Sequence, residues 1–343
     1  MAQSLQSHRK DEHVFLAEKY FQAEASAGFD QVRFIHNPLP ETAVAAVDLT
    51  PGLFGWRWPF FINAMTGGSA QTGRYNEALA TIAKHCGLAM ATGSQSVALA
   101  EPALAETFAR ARTANPKGFM IGNLGADKTL AQAQTAVAML QADALELHLN
   151  AVQETVMPEG DADFHWAESI QAIVVGLDQP VIVKEVGFGM NREALAKLRT
   201  LGVQYVDLGG RGGTNFALIE GARRQDQAFA DLADFGQTTV ESLLEAQGSE
   251  LTLLATGGIR TPLDVLKALR LGASAVGISG LVLHWLIQEG QAAAEAHLQA
   301  WQTTLPKLMA MLGAQNLAAL RQVPVVLSPA LVSYTKQRNL PLP

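Results

Sequence analysis

Apolar and polar residues alternate along segment 145–150 with the two-residue period of a β-strand. One face carries Leu145, Leu147 and Leu149, and the other carries Glu146, His148 and Asn150. Such a strand suits a barrel, because its leucines can face surrounding helices while its polar groups face the axis and the open top. Gln153 and Glu154 then fall in the loop just beyond the strand, where barrels keep their chemistry.

Short apolar runs punctuated by glycine recur through the chain after residue 59. They span residues 60–64, 88–91, 119–121, 144–150, 181–187, 205–208, 251–255 and 275–278. Between them, apolar residues at helical spacing predict helices over 129–140, 163–175, 192–201 and 262–271. Strands alternating with helices in this number predict an α/β fold, a (β/α)8 TIM barrel with an N-terminal extension. A doubly wound open sheet is the alternative.

The chain outside this repeat is expected to belong to the same single domain, since no Pro/Ser-rich linker interrupts it. We assign residues 1–59 to an N-terminal arm and rim, 60–312 to the barrel and 313–343 to a C-terminal tail. The stretch 216–239 is charged and too long for an ordinary strand-to-helix loop. It is therefore a candidate lid.

Composition excludes several classes of function. The net charge is −7 and no basic run occurs, so nucleic acid is not an expected partner. No window is apolar enough for a membrane span and the polar N-terminus lacks the core of a signal peptide, so we expect a cytoplasmic protein. Cys86 is the single cysteine, which excludes an internal disulfide or a cysteine-built zinc site.

Glycine at the ends of the predicted strands lets a ligand approach the backbone closely. Several such turns around one rim indicate a flat ligand held partly by main-chain amides. The turns at 257–260 and 277–280 follow the last two strands, where barrels collect a phosphate. We assign that phosphate to a cofactor, and the alternative is that these glycines only close tight turns.

Lys184 ends an otherwise apolar strand, where its charge is costly unless an anionic group meets it. The pyrimidine edge of a reduced flavin would be such a group, and Ser94 and Asn123 could donate hydrogen bonds to the same ring. An ion pair with Glu146 or Glu185 is the simpler alternative.

Arg9, Lys10 and His13 place three potential cations near the N-terminus. If this segment folds over the barrel mouth, Arg9 and Lys10 could clamp a diphosphate, arginine by its planar fork and lysine as a point charge. A basic pair on a solvated surface is the alternative.

Several motifs in this order resemble the type 2 isopentenyl-diphosphate isomerases, flavin-dependent enzymes on a (β/α)8 barrel. They are Arg9–His13, Asn63–Gly68, Gly93–Gln95, Gly122–Gly125, His148–Glu154, Val183–Gly187, Gly212–Thr214 and Gly257–Arg260. The resemblance covers nearly the whole chain. It implies interconversion of isopentenyl diphosphate and dimethylallyl diphosphate with FMN, Mg2+, and NADPH or NADH to reduce the flavin.

The resemblance also implies roles for individual residues. FMN would be bound by Ala64, Met65, Thr66, Ser94, Asn123, Lys184 and Thr214, and its phosphate by Gly257, Gly258, Arg260, Ser279 and Gly280. Substrate would meet Arg9, Lys10, His13, Ser94, Gln95, Ser96 and Gln153, with His148, Asn150 and Gln153 at the reactive end and Glu154 on Mg2+. Gly209 departs from the family, which often has a serine there. Alanine-rich outer helices fit a homo-oligomer, a tetramer or octamer.

The main alternative is another FMN barrel oxidoreductase, such as a 2-hydroxy-acid oxidase. Those enzymes abstract a proton with a histidine in the loop after strand six. Here that loop contains Gly209–Gly213, and no histidine occurs between His165 and His284. A non-catalytic flavin store is a third possibility, but it has no use for the Arg9/Lys10 pair.

Overall fold

The computed structural model describes residues 4–224 and 228–343. Its strands are β1 (Val32–Phe34), β2 (Phe60–Ile62), β3 (Met90–Ala91), β4 (Met120–Gly125), β5 (Ala144–Leu149), β6 (Val181–Glu185), β7 (Tyr205–Asp207), β8 (Thr252–Thr256), β9 (Ala275–Ile278) and β10 (Val325–Leu327). Strands β2 to β9 form a closed barrel in sequence order, and all of their pairings are parallel. The predicted (β/α)8 barrel is therefore confirmed, and the open sheet is wrong.

Helices follow the strands around the outside of the barrel. They are α1 (Leu5–Lys19), α2 (Ala70–Cys86), α3 (Ser96–Ala100), α4 (Glu106–Ala114), α5 (Leu130–Leu140), α6 (Ala151–Val156), α7 (Ala167–Gly176), α8 (Arg192–Thr200), α9 (Phe216–Arg223), α10 (Thr239–Glu245), α11 (Pro262–Arg270), α12 (Gly280–Gln288), α13 (Gln291–Met311), α14 (Leu317–Leu320) and α15 (Pro329–Gln337). Across 4–224 and 228–343, no helix has the length and apolar character needed to cross a bilayer.

Local side-chain hydrogen bonds decide where the predicted helices begin. Thr129 caps α5 and Thr261 caps α11, each through a capping box, so α5 starts one residue after the predicted position and α11 starts at the predicted residue, Pro262. The helix predicted from residue 163 begins instead at Ala167. The reason is that the Asp163 carboxylate accepts the backbone N–H of His165 at 3.0 Å, which holds a turn in place of a first helical turn.

The two faces of β5 have the orientation that the alternation predicts. Leu145 and Leu147 are buried in the cluster shared with the surrounding helices. The lower end of the barrel is filled by a second cluster that includes Phe61, Ile182 and Leu254. Trp56 seals this cluster from below, with its ring 5.1 Å from that of Phe61. Because the base is packed with side chains, the barrel formed by the described residues is open at the carboxyl ends of its strands.

The N-terminal arm covers that open end, since α1 packs against α2, α9 and α12. The chain then passes under the barrel, and β1 pairs antiparallel with β10 of the tail. In the candidate lid, α9 packs on α6. Residues 225–227 of this stretch lie outside the described residues, and both the lid and the single-domain division stay predictions.

Candidate active site

A cavity of about 380 Å3 opens at the carboxyl ends of the barrel strands and extends beneath α1 and α9. Most of the residues predicted for the site line it. These are Arg9, Lys10, His13, Ala64, Met65, Ser94, Ser96, Asn123, His148, Asn150, Gln153, Glu154, Lys184, Thr214, Gly257, Gly258, Arg260, Ser279 and Gly280. Residues spread over the chain from 9 to 280 thus meet in one place.

Two predicted side chains do not reach the cavity. The Gln95 amide is buried, donating to the carbonyl of Ala136 at 2.9 Å and accepting from the backbone N–H of Asn123 at 3.0 Å. Its side chain ties β4 to α5, so a contact with substrate is wrong for this conformation. The Thr66 hydroxyl is likewise turned away, because it donates to the amide oxygen of buried Asn76. Only the backbone of Thr66 remains for a cofactor.

The polar face of β5 forms a hydrogen-bonded row with Asn123, which lies within β4 and not after it as predicted. The Asn123 amide donates to the buried carboxylate of Glu146 at 2.8 Å, and its carbonyl oxygen lies 2.9 Å from His148 Nδ1. Nδ1 must therefore carry a hydrogen, which leaves Nε2 as the acceptor in the neutral ring.

Burial sets the charge of this row. Burial, together with the nearby positive charges of Lys184, Lys10 and Lys128, lowers the pKa of His148 to about 3. Burial also raises the pKa of Glu146 to about 7, against the opposing effect of Lys184. The imidazole is therefore neutral at physiological pH and is a poor general acid.

Lys184 lies on the cavity floor without a carboxylate partner. Its ammonium donates to the backbone carbonyl of Glu185 at 2.9 Å, and no carboxylate of the described residues lies within 4.0 Å of it. The Glu185 carboxylate instead accepts the backbone N–H groups of Phe188 and Gly189. The simple ion pair considered for Lys184 is thus not formed, and its charge remains directed at the cavity.

Helix α1 places the two predicted cations over the mouth. Arg9 donates to Glu159 at 3.2 Å, while its buried Nε has no hydrogen-bond partner among the described residues. Lys10 donates to the carbonyl of Ser94 at 3.3 Å. Burial, with a smaller effect from Arg9, lowers the pKa of Lys10 to about 8. An anionic group at the mouth could therefore replace the Glu159 carboxylate as the partner of Arg9 and the Ser94 carbonyl as the partner of Lys10.

Glu220, which sequence reasoning missed, anchors Gln153. Its fully buried carboxylate accepts from Gln153 Nε2 at 2.8 Å and from Arg223 at 2.6 Å, and His13 Nε2 lies 3.0 Å away. Burial raises the pKa of Glu220, but its contacts with His13, Gln153 and Arg223 outweigh burial and bring the pKa to about 2. The signal available in the sequence was helical spacing, which puts this acid on the buried face of α9 with Ala217.

Glu154 is the candidate metal ligand. One carboxylate oxygen accepts from Asn150 at 2.8 Å and the other from the backbone N–H of Asp161 at 2.9 Å. No group of three or more His, Cys, Asp or Glu side chains in 4–224 and 228–343 could hold a metal. A single carboxylate still fits Mg2+, which takes its other oxygens from phosphate and water.

The upper rim fits a flat cofactor with a phosphate. Gly213 approaches the Gly257–Gly258 turn so closely that a Cβ on it would lie 2.9 Å from the Gly258 nitrogen. Ser279 precedes the nine-residue helix α12, but its side chain makes no capping hydrogen bond to that helix. Ser279 and Gly280 line the cavity, so the N-terminus of α12 faces it. Arg260 is half-buried, and its buried Nε has no hydrogen-bond partner among the described residues. The hydrogen-bond donors at this rim and the glycines that let a ligand approach the backbone are features that fit FMN.

The backbone conformation at position 209 explains why the residue there is a glycine. Its φ of +49° lies in the left-handed region, and a Cβ would overlap the carbonyl oxygen of Glu185. A serine, as the family often has, would therefore require the backbone to shift. Any hydrogen bond to a flavin from this loop must come from another group such as Thr214.

The fold and the site define an FMN-binding barrel class. A family model described as FMN-dependent dehydrogenase matches residues 106–326. Among solved structures, a mandelate oxidase variant with benzaldehyde has a TM-score of 0.64 at 17% identity, covering 95% of this chain and 99% of that chain. At that identity the likeness shows the fold alone.

Curated relatives define the family within this class. Isopentenyl-diphosphate delta-isomerase of Lacticaseibacillus paracasei is 60% identical over 99% of both chains. The proteins of that name from Latilactobacillus sakei and Staphylococcus epidermidis are 56% and 45% identical, over at least 99% of each chain. This chain belongs to the isopentenyl-diphosphate delta-isomerase family.

Proposed function

We propose that this enzyme interconverts isopentenyl diphosphate and dimethylallyl diphosphate, a 1,3-allylic rearrangement, with reduced FMN and Mg2+. One observation carries the proposal. A single cavity joins a glycine-lined floor marked by Lys184 to a cationic arm carrying Arg9 and Lys10, with Gln153 and Glu154 beside it. The relatives named isopentenyl-diphosphate delta-isomerase and the FMN-dependent family model support the same assignment.

The reaction adds a proton to an unactivated alkene and removes one from a neighbouring carbon, so positive charge develops between the two steps. Reduced FMN, when bound, would supply an electron-rich face against that charge. The chain's own residues hold the ends of the substrate and exclude water. Arg9 and Lys10 would bind the diphosphate, and Lys184 would hold the anionic edge of the cofactor.

Gln153 would position the alkene end. A neutral amide is nearly non-basic, so its contribution is a fixed N–H and carbonyl oxygen, oriented by the bond from Nε2 to Glu220. We expect Gln153→Ala to reduce kcat sharply while flavin content stays unchanged. Gln134→Ala, on the exposed side of α5, is the matched control. Full turnover in the Gln153 variant would contradict this role.

Glu154 would hold Mg2+ against the diphosphate. Glu154→Gln should raise the Mg2+ concentration needed for half-maximal activity, because an amide is a weaker ligand than a carboxylate. Glu168→Gln in the exposed first turn of α7 is the control. An unchanged Mg2+ dependence in the Glu154 variant would count against metal binding here.

The remaining parts of the proposal concern supply and assembly. NADPH or NADH would reduce the flavin through the same mouth before substrate binds. The protein would work in the cytoplasm as a homo-oligomer, a tetramer or octamer, which size-exclusion chromatography with light scattering would measure.

A 2-hydroxy-acid oxidase activity is disfavoured by the loop after β7. This loop, Gly209–Gly213, offers no histidine, and the histidines that line the described cavity, His13 and His148, come from α1 and β5. His148 is also held neutral with Nδ1 committed to Asn123.

Incubation of the reduced, Mg2+-loaded enzyme with isopentenyl diphosphate in deuterated water tests the proposal. We expect deuterated dimethylallyl diphosphate without net oxidation of the flavin. Release of hydrogen peroxide from a 2-hydroxy acid, with no allylic product, would support the oxidase instead. Tight FMN binding with neither reaction would leave only the role of a flavin store.

A further inference from the structure

Asp127 and Lys128 follow β4 and line the cavity, yet they have no role in the function proposed above. The turn that carries them is fixed by a hydrogen bond from the Lys128 backbone N–H to the carbonyl of Gly125 at 3.3 Å. Their side chains form an ion pair with each other. The Lys128 side chain is 24% exposed, so its charge is at the cavity surface and not dispersed in bulk solvent.

This ion pair lies against His148. A Cβ built on Gly125 would overlap Asp127 Oδ1 and would lie 3.5 Å from His148 Nε2, so both groups border the same space above the end of β4. Lys10 of the arm acts on the same imidazole, because the charges of Lys10 and Lys128 both oppose its protonation. Lys10 of the arm and Lys128 of the barrel therefore line the same cavity as this neutral ring.

The two lysines differ in what they pair with. Lys10 donates only to a backbone carbonyl, and no carboxylate of the described residues lies within 4.0 Å of it. Lys128 is neutralised by Asp127. Without the Mg2+ that Glu154 would hold, an incoming diphosphate carries more negative charge than Arg9 and Lys10 can balance, and a charge-assisted bond to phosphate is stronger than an exposed lysine–carboxylate pair.

We propose that Lys128 is a further binding residue for the diphosphate group, that Asp127 holds it in reserve, and that ligand binding moves its ammonium from the carboxylate to a phosphate oxygen. The inference rests on the proposed function and extends it to specificity. Arg9 and Lys10 suffice for a single phosphate, while the third cation favours a diphosphate. His148, with its acceptor Nε2, would orient one of the two lysines and not the phosphate itself.

The test is calorimetric titration of the FMN-loaded protein, in buffer of fixed ionic strength, with inorganic pyrophosphate and separately with inorganic phosphate. We expect Lys128→Gln to weaken pyrophosphate binding by about tenfold, with a much smaller effect on phosphate. Lys128→Arg should restore most of the loss. Asp127→Asn should tighten pyrophosphate binding, because the competing carboxylate is gone. Lys117→Gln, an exposed lysine that precedes β4 at the other end of the barrel, should match wild type.

Opposite shifts for Lys128→Gln and Asp127→Asn are the result that an ion pair with only a structural role would not give. Wild-type pyrophosphate affinity in Lys128→Gln, or no gain in Asp127→Asn, would overturn the inference while leaving the proposed function intact. Failure of wild-type protein to bind pyrophosphate would overturn both. The flavin absorbance spectrum of each variant checks that the cavity is still formed.

Discussion

Replacing Glu220 by glutamine tests whether the buried carboxylate that holds Gln153 also stabilises the fold. Its pKa of about 2 lies below the ordinary value of 4.5. For a side chain with no exposure, that difference corresponds to about 3 kcal/mol of stability at neutral pH. Arg223 keeps Glu12 and Glu159 as partners, which softens the loss. We therefore expect Glu220→Gln to lower the free energy of unfolding by about 2–3 kcal/mol.

Equilibrium urea unfolding followed by circular dichroism, with FMN held constant, measures this difference. A carboxylate whose pKa is lowered by folding stabilises the protein above its unfolded pKa and loses that effect as pH falls towards its folded pKa. The difference in unfolding free energy between wild type and Glu220→Gln should thus be smaller by about 1 kcal/mol near pH 4 and by about 2 kcal/mol near pH 3 than at neutral pH.

Glu77→Gln is the control for the Glu220 measurement, because this exposed acid pairs with Arg110 at the surface and should change stability by less than about 0.5 kcal/mol. Equal stability of wild type and Glu220→Gln near pH 7, or a gap that does not depend on pH, would refute the reasoning.

Two further predictions follow from the rim and the arm. Gly213→Ala should weaken FMN binding by about tenfold or more, since its Cβ would press on the backbone of Gly258, while Gly221→Ala in open space should not; flavin fluorescence on titration decides. Pyrophosphate affinity should fall as pH rises through about 8, where Lys10 loses its proton, and Lys10→Arg should move that fall to higher pH; a flat profile to about pH 9 in wild type would contradict it.

The barrel was predictable because a closed parallel sheet imposes one period on its strands and another on its helices. Boundaries failed where glycine and asparagine interrupt an apolar run. The run ending at residue 121 continues as β4 to Gly125, since its inward residues face a polar interior and need not be apolar. Sequence reasoning stopped the strand before Asn123 for that reason.

The site was predictable where a residue's position in a motif fixes its place at the strand ends, as for Lys184 and Gln153. It failed where a side chain has two directions to choose from. Gln95 follows a strand end like its neighbours, but the backbone N–H of Asn123 and the carbonyl of Ala136 draw its amide inward. Glu220 is distant in sequence from Gln153, so only the packing of α9 on α6 brings the two together.

Trp56 and Phe61 close the base of the barrel, so among the described residues the cavity opens at the opposite end. Under the proposed function, a nucleotide that reduces the flavin would have to leave before a diphosphate could enter by the same passage, and the product would have to leave by the path of the substrate beneath α1. Reductant and diphosphate could thus not be bound at the same time. The closed base of the barrel would thus fix the order in which the two molecules bind, although it contacts neither of them.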